Sequence, residues 1–145
     1  MTFRTLASSL ALGAMLALGV AAAHAQIAPG DSGNGIKLGM LEQQNSGQVG
    51  DVTLFPRGAR TLVVIDIKGE PTGNREPAHI HRGKSVTCDD IDPKPAYALH
   101  DVVSGRSTTL VQAPIDKLLS GNYSVNVHWS AQHIPHYVSC GHLYR

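Results

Sequence analysis

The stretch NYSVNVHW, residues 122–129, decides the fold, because its apolar and polar residues alternate strictly. Successive side chains of a β-strand point to opposite sides, so the tyrosine, two valines and tryptophan share one face and the polar residues share the other. This pattern is typical of a half-buried strand in an antiparallel sheet. We therefore predict a strand whose apolar face packs in the core and whose His128 points outward.

Short extended segments, separated by turn residues, fill most of the remaining chain. The predicted strands cover residues 36–41, 48–55, 61–67, 78–81, 97–103, 107–111, 122–129 and 137–143. A loop is predicted for Lys84–Pro95 and a short helical turn for Pro114–Leu119. Many short strands at this spacing, with no long helical period, predict an all-β sandwich or barrel.

The first 25 residues have the pattern of an export signal. Arg4 is their only charged residue, Leu10–Ala23 is apolar, and Ala23-His24-Ala25 has the small-X-small pattern of a signal-peptidase site. The apolar run is shorter than the roughly 20 residues that a membrane-spanning helix needs. We expect cleavage after Ala25, no membrane insertion of the mature chain, and a location in the bacterial periplasm.

The mature chain, Gln26–Arg145, has the size of one domain. Removing the leader takes away Arg4 alone among the charged residues, so 12 Lys and Arg become 11, equal to the 11 Asp and Glu. A balanced charge disfavours nucleic acid and anionic membranes as partners, because both need a basic surface. The Gly-rich segment 26–35 predicts a flexible N-terminal arm, and residues 36–145 predict a single β-sandwich domain.

The strongest candidate metal ligands lie in the run PAHIHRG, residues 77–83. His79 and His81 are two residues apart, so a strand places both imidazoles on one face, a few ångströms from each other. Alternation turns Ile80 toward the core and both histidines outward, as it does His128. Outward histidines predict either a solvated surface or an external metal site.

Cys88 and Cys140 are the only cysteines of the chain. An even count in an exported protein favours a disulfide, since the compartment is oxidising. Closing a loop of this length would stabilise the fold by roughly 4 kcal/mol on the chain-entropy estimate. A pair of thiolate metal ligands is the alternative.

The order of these motifs resembles that of the copper–zinc superoxide dismutases. The run AHIHRG (78–83), followed by Cys88, resembles the copper-ligand strand and disulfide loop of that family. The pair VH (127–128), followed by SCG (139–141), resembles its later copper histidine and second disulfide cysteine. The run GNYSVNVH (121–128) also resembles the CHRD domain, another β-sandwich module that carries a His-Ile-His motif.

The resemblance implies a Greek-key β-sandwich or barrel of the superoxide dismutase-like type. It further implies that His79, His81 and His128 hold one copper ion and that Cys88 and Cys140 form the disulfide. The chemistry fits, because imidazole suits copper and copper heads the affinity order of the divalent metals. Three imidazoles leave one position for a small ligand or a weak fourth donor.

The chain departs from the dismutases in the loop where that family holds zinc. Several histidines and one aspartate ligate zinc there, whereas residues 84–99 contain no histidine. Asp89, Asp90 and Asp92 are present, and His100 is the next histidine along the chain. We therefore do not expect a zinc site, and His100 is only an additional candidate ligand.

A second departure lies near the last cysteine. The dismutases place an arginine there that guides superoxide to copper, and Tyr137 stands at that position. Without the guanidinium a fixed positive charge beside the metal is lost. The preceding segment, residues 130–136, is short and contains His133 and His136, which are candidates for a fourth ligand or for a gate over the metal.

Three functions are consistent with these features. The first is a periplasmic copper-binding protein, a carrier, buffer or resistance factor in copper homeostasis, which could exchange copper with another periplasmic copper protein. The second is a copper-only superoxide dismutase with weak activity. The third is a metal-free, CHRD-like structural or interaction module. Loss of the zinc loop and guiding arginine favours the first function and disfavours an enzyme.

Overall fold

Eight strands and one short helix make up the part of the chain that the computed structural model describes, residues 34–69, 73, 75–83 and 88–144. They are β1 (Ile36–Glu42), β2 (Val49–Arg57), β3 (Arg60–Lys68), β4 (Ala78–Gly83), β5 (Ile91–Ala98), β6 (Arg106–Val111), α1 (Ile115–Ser120), β7 (Tyr123–His128) and β8 (Tyr137–Leu143). The predicted all-β class is confirmed. The predicted leader and the arm up to residue 33 lie outside the described residues.

All eight strands belong to one antiparallel sheet that curls into a half-barrel. The strand order is β5-β4-β7-β8-β1-β2-β3-β6, so β5 and β6 form the two edges. Several neighbours in the sheet are distant in sequence, and β4 pairs with β7 in particular. This pairing brings the His-Ile-His strand beside the strand that ends in His128.

The core lies on the inner face of the curled sheet, where alternate residues of the strands are buried. In β3, Val63, Ile65 and Ile67 are buried, while the residues between them are partly or fully exposed. The inner faces of β4 and β7 add Ile80, Val125 and Val127 to the same cluster. The alternation read from residues 122–129 thus places their two valines correctly. No helix in the described ranges is long and apolar enough to cross a membrane.

The predicted position of Trp129 is wrong. The strand ends at His128, and the Trp129 side chain is 37% exposed instead of packed in the core. An irregularity in the β7–β8 pairing lies between Val127 and His128. Such an irregularity locally interrupts the pairing and reorients the chain, so period-two alternation does not extend to Trp129.

The prediction was also wrong for residues 91–95 and 99–103, while residues 84–87 of the predicted loop lie outside the described residues. Ile91–Ala98 forms strand β5, although Lys84–Pro95 was expected to be a loop, and the strand expected at 97–103 ends at Ala98. Pro93 and Pro95 lower the strand propensity of the segment. They are accommodated because β5 is an edge strand, where one row of backbone N–H groups faces no partner.

Candidate metal-binding site

Three histidine side chains converge where β4 and β7 lie side by side. His79 and His81 share one face of β4, and the His128 N–H donates to the carbonyl of Pro77, just before β4 begins. One ring nitrogen from each of His79, His81 and His128 lies within 4.8 Å of the other two. This cluster, the histidine triad, could hold a metal ion.

The three histidines point away from the apolar core, as predicted. Of the two environments expected for them, the solvated surface is wrong. His81 is 2% exposed and His128 is fully buried, while His79 is half-buried. β5 and residues 130–136 contact this face: Asp92 reaches His81, and Ile134 reaches His128, through backbone carbonyls. The outer face of β4 and β7 is therefore a second buried layer, opposite the apolar core.

Backbone hydrogen bonds orient two rings of the triad. The Nδ1–H of His81 donates to the carbonyl of Asp92 over 2.8 Å, and the Nδ1–H of His128 donates to the carbonyl of Ile134. A carbonyl oxygen can only accept, so each ring carries its proton on Nδ1 and presents a lone pair on Nε2. Hydrogen bonds of this kind commonly fix the ring orientation of metal-ligating histidines.

Some buried side-chain atoms of this layer have no hydrogen-bond partner within the described part of the chain, and we call them the open polar atoms. They are His81 Nε2, Ser124 Oγ, Asn126 Oδ1, Asn126 Nδ2 and His142 Nε2. Burying such an atom without a partner costs about 1–3 kcal/mol. The lone pair of His81 is thus poised for a ligand that the protein chain does not supply.

The third ring faces the lone pair of His128. His79 Nδ1 lies 3.0 Å from His128 Nε2. Since His128 Nε2 is an acceptor, His79 Nδ1 carries the proton between them when no metal is bound. When the His79 proton is on Nε2 instead, both nitrogens offer lone pairs to one metal ion, so the donor set would be His79 Nδ1, His81 Nε2 and His128 Nε2.

Burial and mutual proximity favour the neutral form of His79 and His128. Burial is the main cause that lowers the pKa of His128 to about 4; the Ile134 hydrogen bond opposes the shift, and His79 and His81 add to it. The pKa of His79 is also lowered, first by burial and then by His81, against the opposing charge of Asp101. Neutral imidazole is the form that binds metal, so little proton competition is expected at neutral pH.

The other candidate histidines are not brought into the triad. His133 is exposed and its Nδ1 contacts the Ser130 hydroxyl at 3.0 Å. His136 packs edge-on against Trp129, with ring centroids 5.1 Å apart. His100 is exposed and follows the end of β5 by two residues. Its Nδ1–H donates to the carbonyl of Thr108 over 2.8 Å.

The disulfide prediction is confirmed, which excludes the alternative of free thiolate ligands. Cys88 is bonded to Cys140, and their Cα atoms are 6.3 Å apart. Cys140 pairs with Asn126 across β7 and β8, so the disulfide lies on the same face as the triad. The bond therefore ties the chain before β5 to the layer that holds the histidines.

Several contributors to the site could not be recognised from the sequence. The carbonyls of Asp92 and Ile134 orient two rings, but a backbone carbonyl carries no residue signature. Asp101 acts on His79 and pairs with Arg75 over 2.9 Å. Tyr137, which stands where the resemblance has an arginine, packs beside His128 with ring centroids 4.9 Å apart.

Comparison with known proteins adds no relative. No family model, no curated protein and no solved structure matches this chain. The curled antiparallel sheet is compatible with a β-sandwich or barrel.

Proposed function

We propose that this protein is a periplasmic copper-binding protein, a carrier, buffer or copper-resistance factor, and that His79, His81 and His128 hold its copper ion. The convergence of three imidazole nitrogens carries the proposal. One of them, His81 Nε2, is an open polar atom. Binding of an ion would satisfy that nitrogen and offset the cost of burying it.

Copper is the metal that these donors favour. Imidazole suits copper, and copper binds such a site more tightly than the other divalent first-row metals. At nitrogen–metal distances of 2.0–2.1 Å, tetrahedral ligands are about 3.3 Å apart and ligands at right angles about 2.9 Å apart. The 3.0 Å between His79 Nδ1 and His128 Nε2 is short enough for one metal ion to reach both nitrogens.

Retention of the ion is supported by the way the rings are held. His81 and His128 are buried, and backbone carbonyls fix both ring orientations before any metal arrives. Partners of this kind typically change metal affinity by 10–100-fold. Half-buried His79 is the ligand nearest to solvent and marks the side from which copper would enter.

Binding is favoured over catalysis by the charges near the triad. Tyr137 supplies no positive charge beside His128. Arg75 pairs with Asp101, the carboxylate that acts on His79, and this ion pair offsets its charge. Without a net positive field, attraction of a small anion such as superoxide is weak.

The periplasmic location is supported by two features. The signal-like leader provides a route for export. The Cys88–Cys140 disulfide is stable in an oxidising compartment and rare in a reducing one. Export with cleavage would give a purified protein whose mass corresponds to a chain that starts at Gln26.

Copper titration of the purified protein tests the proposal. We expect one equivalent of Cu(II) to bind, and the affinity to fall at least 100-fold in His81→Ala and His128→Ala. His142→Ala is the matched control, because this ring also donates Nδ1–H to a carbonyl and has an open Nε2, yet lies outside the triad. Binding that is absent, or indifferent to both triad variants, would refute the proposal.

A superoxide assay of the copper-loaded protein separates the binding protein from the enzyme. We expect consumption no faster than that of an equal amount of a copper–peptide chelate. Faster consumption that is lost in His81→Ala would instead favour a copper-only superoxide dismutase.

A further inference from the structure

Asn126 occupies the centre of the outer-face layer, next to all three histidines of the triad. It pairs directly with His79 across β4 and β7, and its neighbour Ser124 on the same face pairs with His81. His128 follows two residues later on the same face of β7. Directly opposed residues have Cβ atoms about 4.5–5.5 Å apart, so the Asn126 side chain is an immediate neighbour of His79 on this face.

The carboxamide of Asn126 is buried and makes no hydrogen bond within the described residues. Asn126 is 1% exposed, and both its oxygen and its nitrogen are open polar atoms. An asparagine amide can take part in up to four hydrogen bonds, and a buried one without any is destabilising. Since no hydrogen bond fixes the amide, its oxygen is free to turn toward a ligand beside it.

A metal ion in the triad would need a fourth donor that the histidines do not provide. We propose that the Asn126 amide oxygen is this donor, which makes the site three imidazole nitrogens and one neutral oxygen. The inference rests on the proposed copper site and extends it to a ligand that histidine spacing cannot reveal. It also gives a role to a polar side chain that is buried without a hydrogen-bond partner.

The chemical consequence is a preference between the two oxidation states of copper. An amide oxygen is a hard donor, whereas Cu(I) prefers soft thiolate and thioether ligands. Within the described residues no sulfur donor joins the triad, since both cysteines are in the disulfide and Met40 lies in the apolar core. Asn126 would therefore stabilise Cu(II) over Cu(I) and lower the reduction potential of the bound copper.

Asn126→Leu tests this role, because leucine has nearly the same shape and no donor. We expect the Cu(II) affinity to fall about tenfold, with a smaller change in Cu(I) affinity and an altered Cu(II) electron paramagnetic resonance spectrum. A tenfold selective loss of Cu(II) corresponds to a rise in reduction potential of about 60 mV. The melting temperature of the metal-free variant should rise, since two open polar atoms are removed.

Asn126→Asp and Ser124→Ala complete the comparison. Asn126→Asp keeps an oxygen at the site and adds a negative charge, so Cu(II) affinity should equal or exceed that of the wild type. Ser124→Ala removes an open polar atom from the same face of β7, at the neighbouring outward position, and should leave affinity and spectrum unchanged.

The outcomes distinguish this inference from the proposed function. If the wild type binds no Cu(II), the copper site itself fails. If the wild type binds Cu(II) and His81→Ala does not, while Asn126→Leu matches the wild type in affinity, spectrum and potential, the copper site stands and the role of Asn126 is refuted. In that case the amide is satisfied by ordered water. A folded Asn126→Leu protein with weaker Cu(II) binding supports the inference.

Discussion

The two faces of the β4–β7 pair are both largely shielded from water but are built from opposite chemistry. The inner face buries Ile80, Val125 and Val127 in the apolar core. The outer face buries His81 and Asn126 to almost the same extent, yet both carry open polar atoms. Burial stabilises the fold on one side of the same two strands and costs stability on the other.

Burial therefore has a different effect on the free energy of folding at each face. Apolar side chains gain free energy by leaving water, so the inner face contributes to folding. Polar atoms that lose water without gaining a partner are destabilising unless a ligand pairs with them. The inner face therefore holds the sheet together, and the outer face is suited to binding. The predictions below test this division.

The largest effect is expected on removal of the disulfide, which ties the chain to the outer face. In the double variant Cys88→Ala/Cys140→Ala the free energy of unfolding should fall by about 4 kcal/mol, because the unfolded chain regains the entropy of an open loop. Guanidinium denaturation of the metal-free protein measures the change. Wild type treated with a reductant is the control, and an unchanged midpoint in both would contradict the prediction.

A slightly smaller loss is expected on the inner face. Ile80→Ala removes buried methyl groups and leaves a cavity, so we expect a loss of about 3 kcal/mol, and about 1 kcal/mol for the matched variant Ile80→Val. Copper affinity of the folded protein should stay within threefold of wild type, because Ile80 points away from the triad. A large affinity loss in a folded variant would show that the two faces are not independent.

Acid should weaken the outer face selectively. The pKa of His128 is about 4 in the folded protein, below its ordinary 6.5, so the unfolded chain binds more protons between these values. His128 therefore stabilises fully above about pH 6.5, and about 3 kcal/mol is lost as the pH falls to about 4. Denaturation of the metal-free protein across this range measures the loss.

His128→Leu is the control for the acid effect. Its profile between pH 6.5 and 4 should be flatter than that of the wild type, since one buried titrating ring is gone. An equally steep profile would assign the acid sensitivity to other groups, such as His79, whose pKa is lowered in the same direction.

The smallest effect is expected at Ser124. Its hydroxyl is an open polar atom, so Ser124→Ala should leave stability unchanged or raise it by up to about 1 kcal/mol. Thermal denaturation of the metal-free protein gives the sign. A loss above 1 kcal/mol would mean that ordered water satisfies this hydroxyl and that the outer face is better paired than the protein atoms alone indicate.

Much of the fold follows from local patterning. The alternation in residues 122–128 predicts the inner face of β7, a strand was predicted over most of β3, and the last predicted strand coincides with β8, Tyr137–Leu143. The short helix was placed within one residue at each end. The strands are predictable because their side chains face a core on one side only, which produces a period-two alternation in the sequence.

Other features depend on partners that are distant in sequence. Pro93 and Pro95 suggest a loop, but a strand forms there because its pairing partner, β4, lies on one side only. Trp129 departs from the alternation because the β7–β8 pairing is irregular next to it. Local propensity indicates neither that β5 is an edge strand nor how β8 is paired in register with β7.

The sequence by itself determined the strand pattern, the two candidate ligands on β4, and the alternation that set His128 on the opposite side from the core. Only the tertiary structure decided that His79, His81 and His128 converge, because the β4–β7 pairing joins segments nearly 50 residues apart in the chain. It also decided that the outer face is buried, since the carbonyls of Asp92 and Ile134 reach it from other elements. Alternation gives the direction of a side chain, whereas its exposure depends on which other segments pack over it.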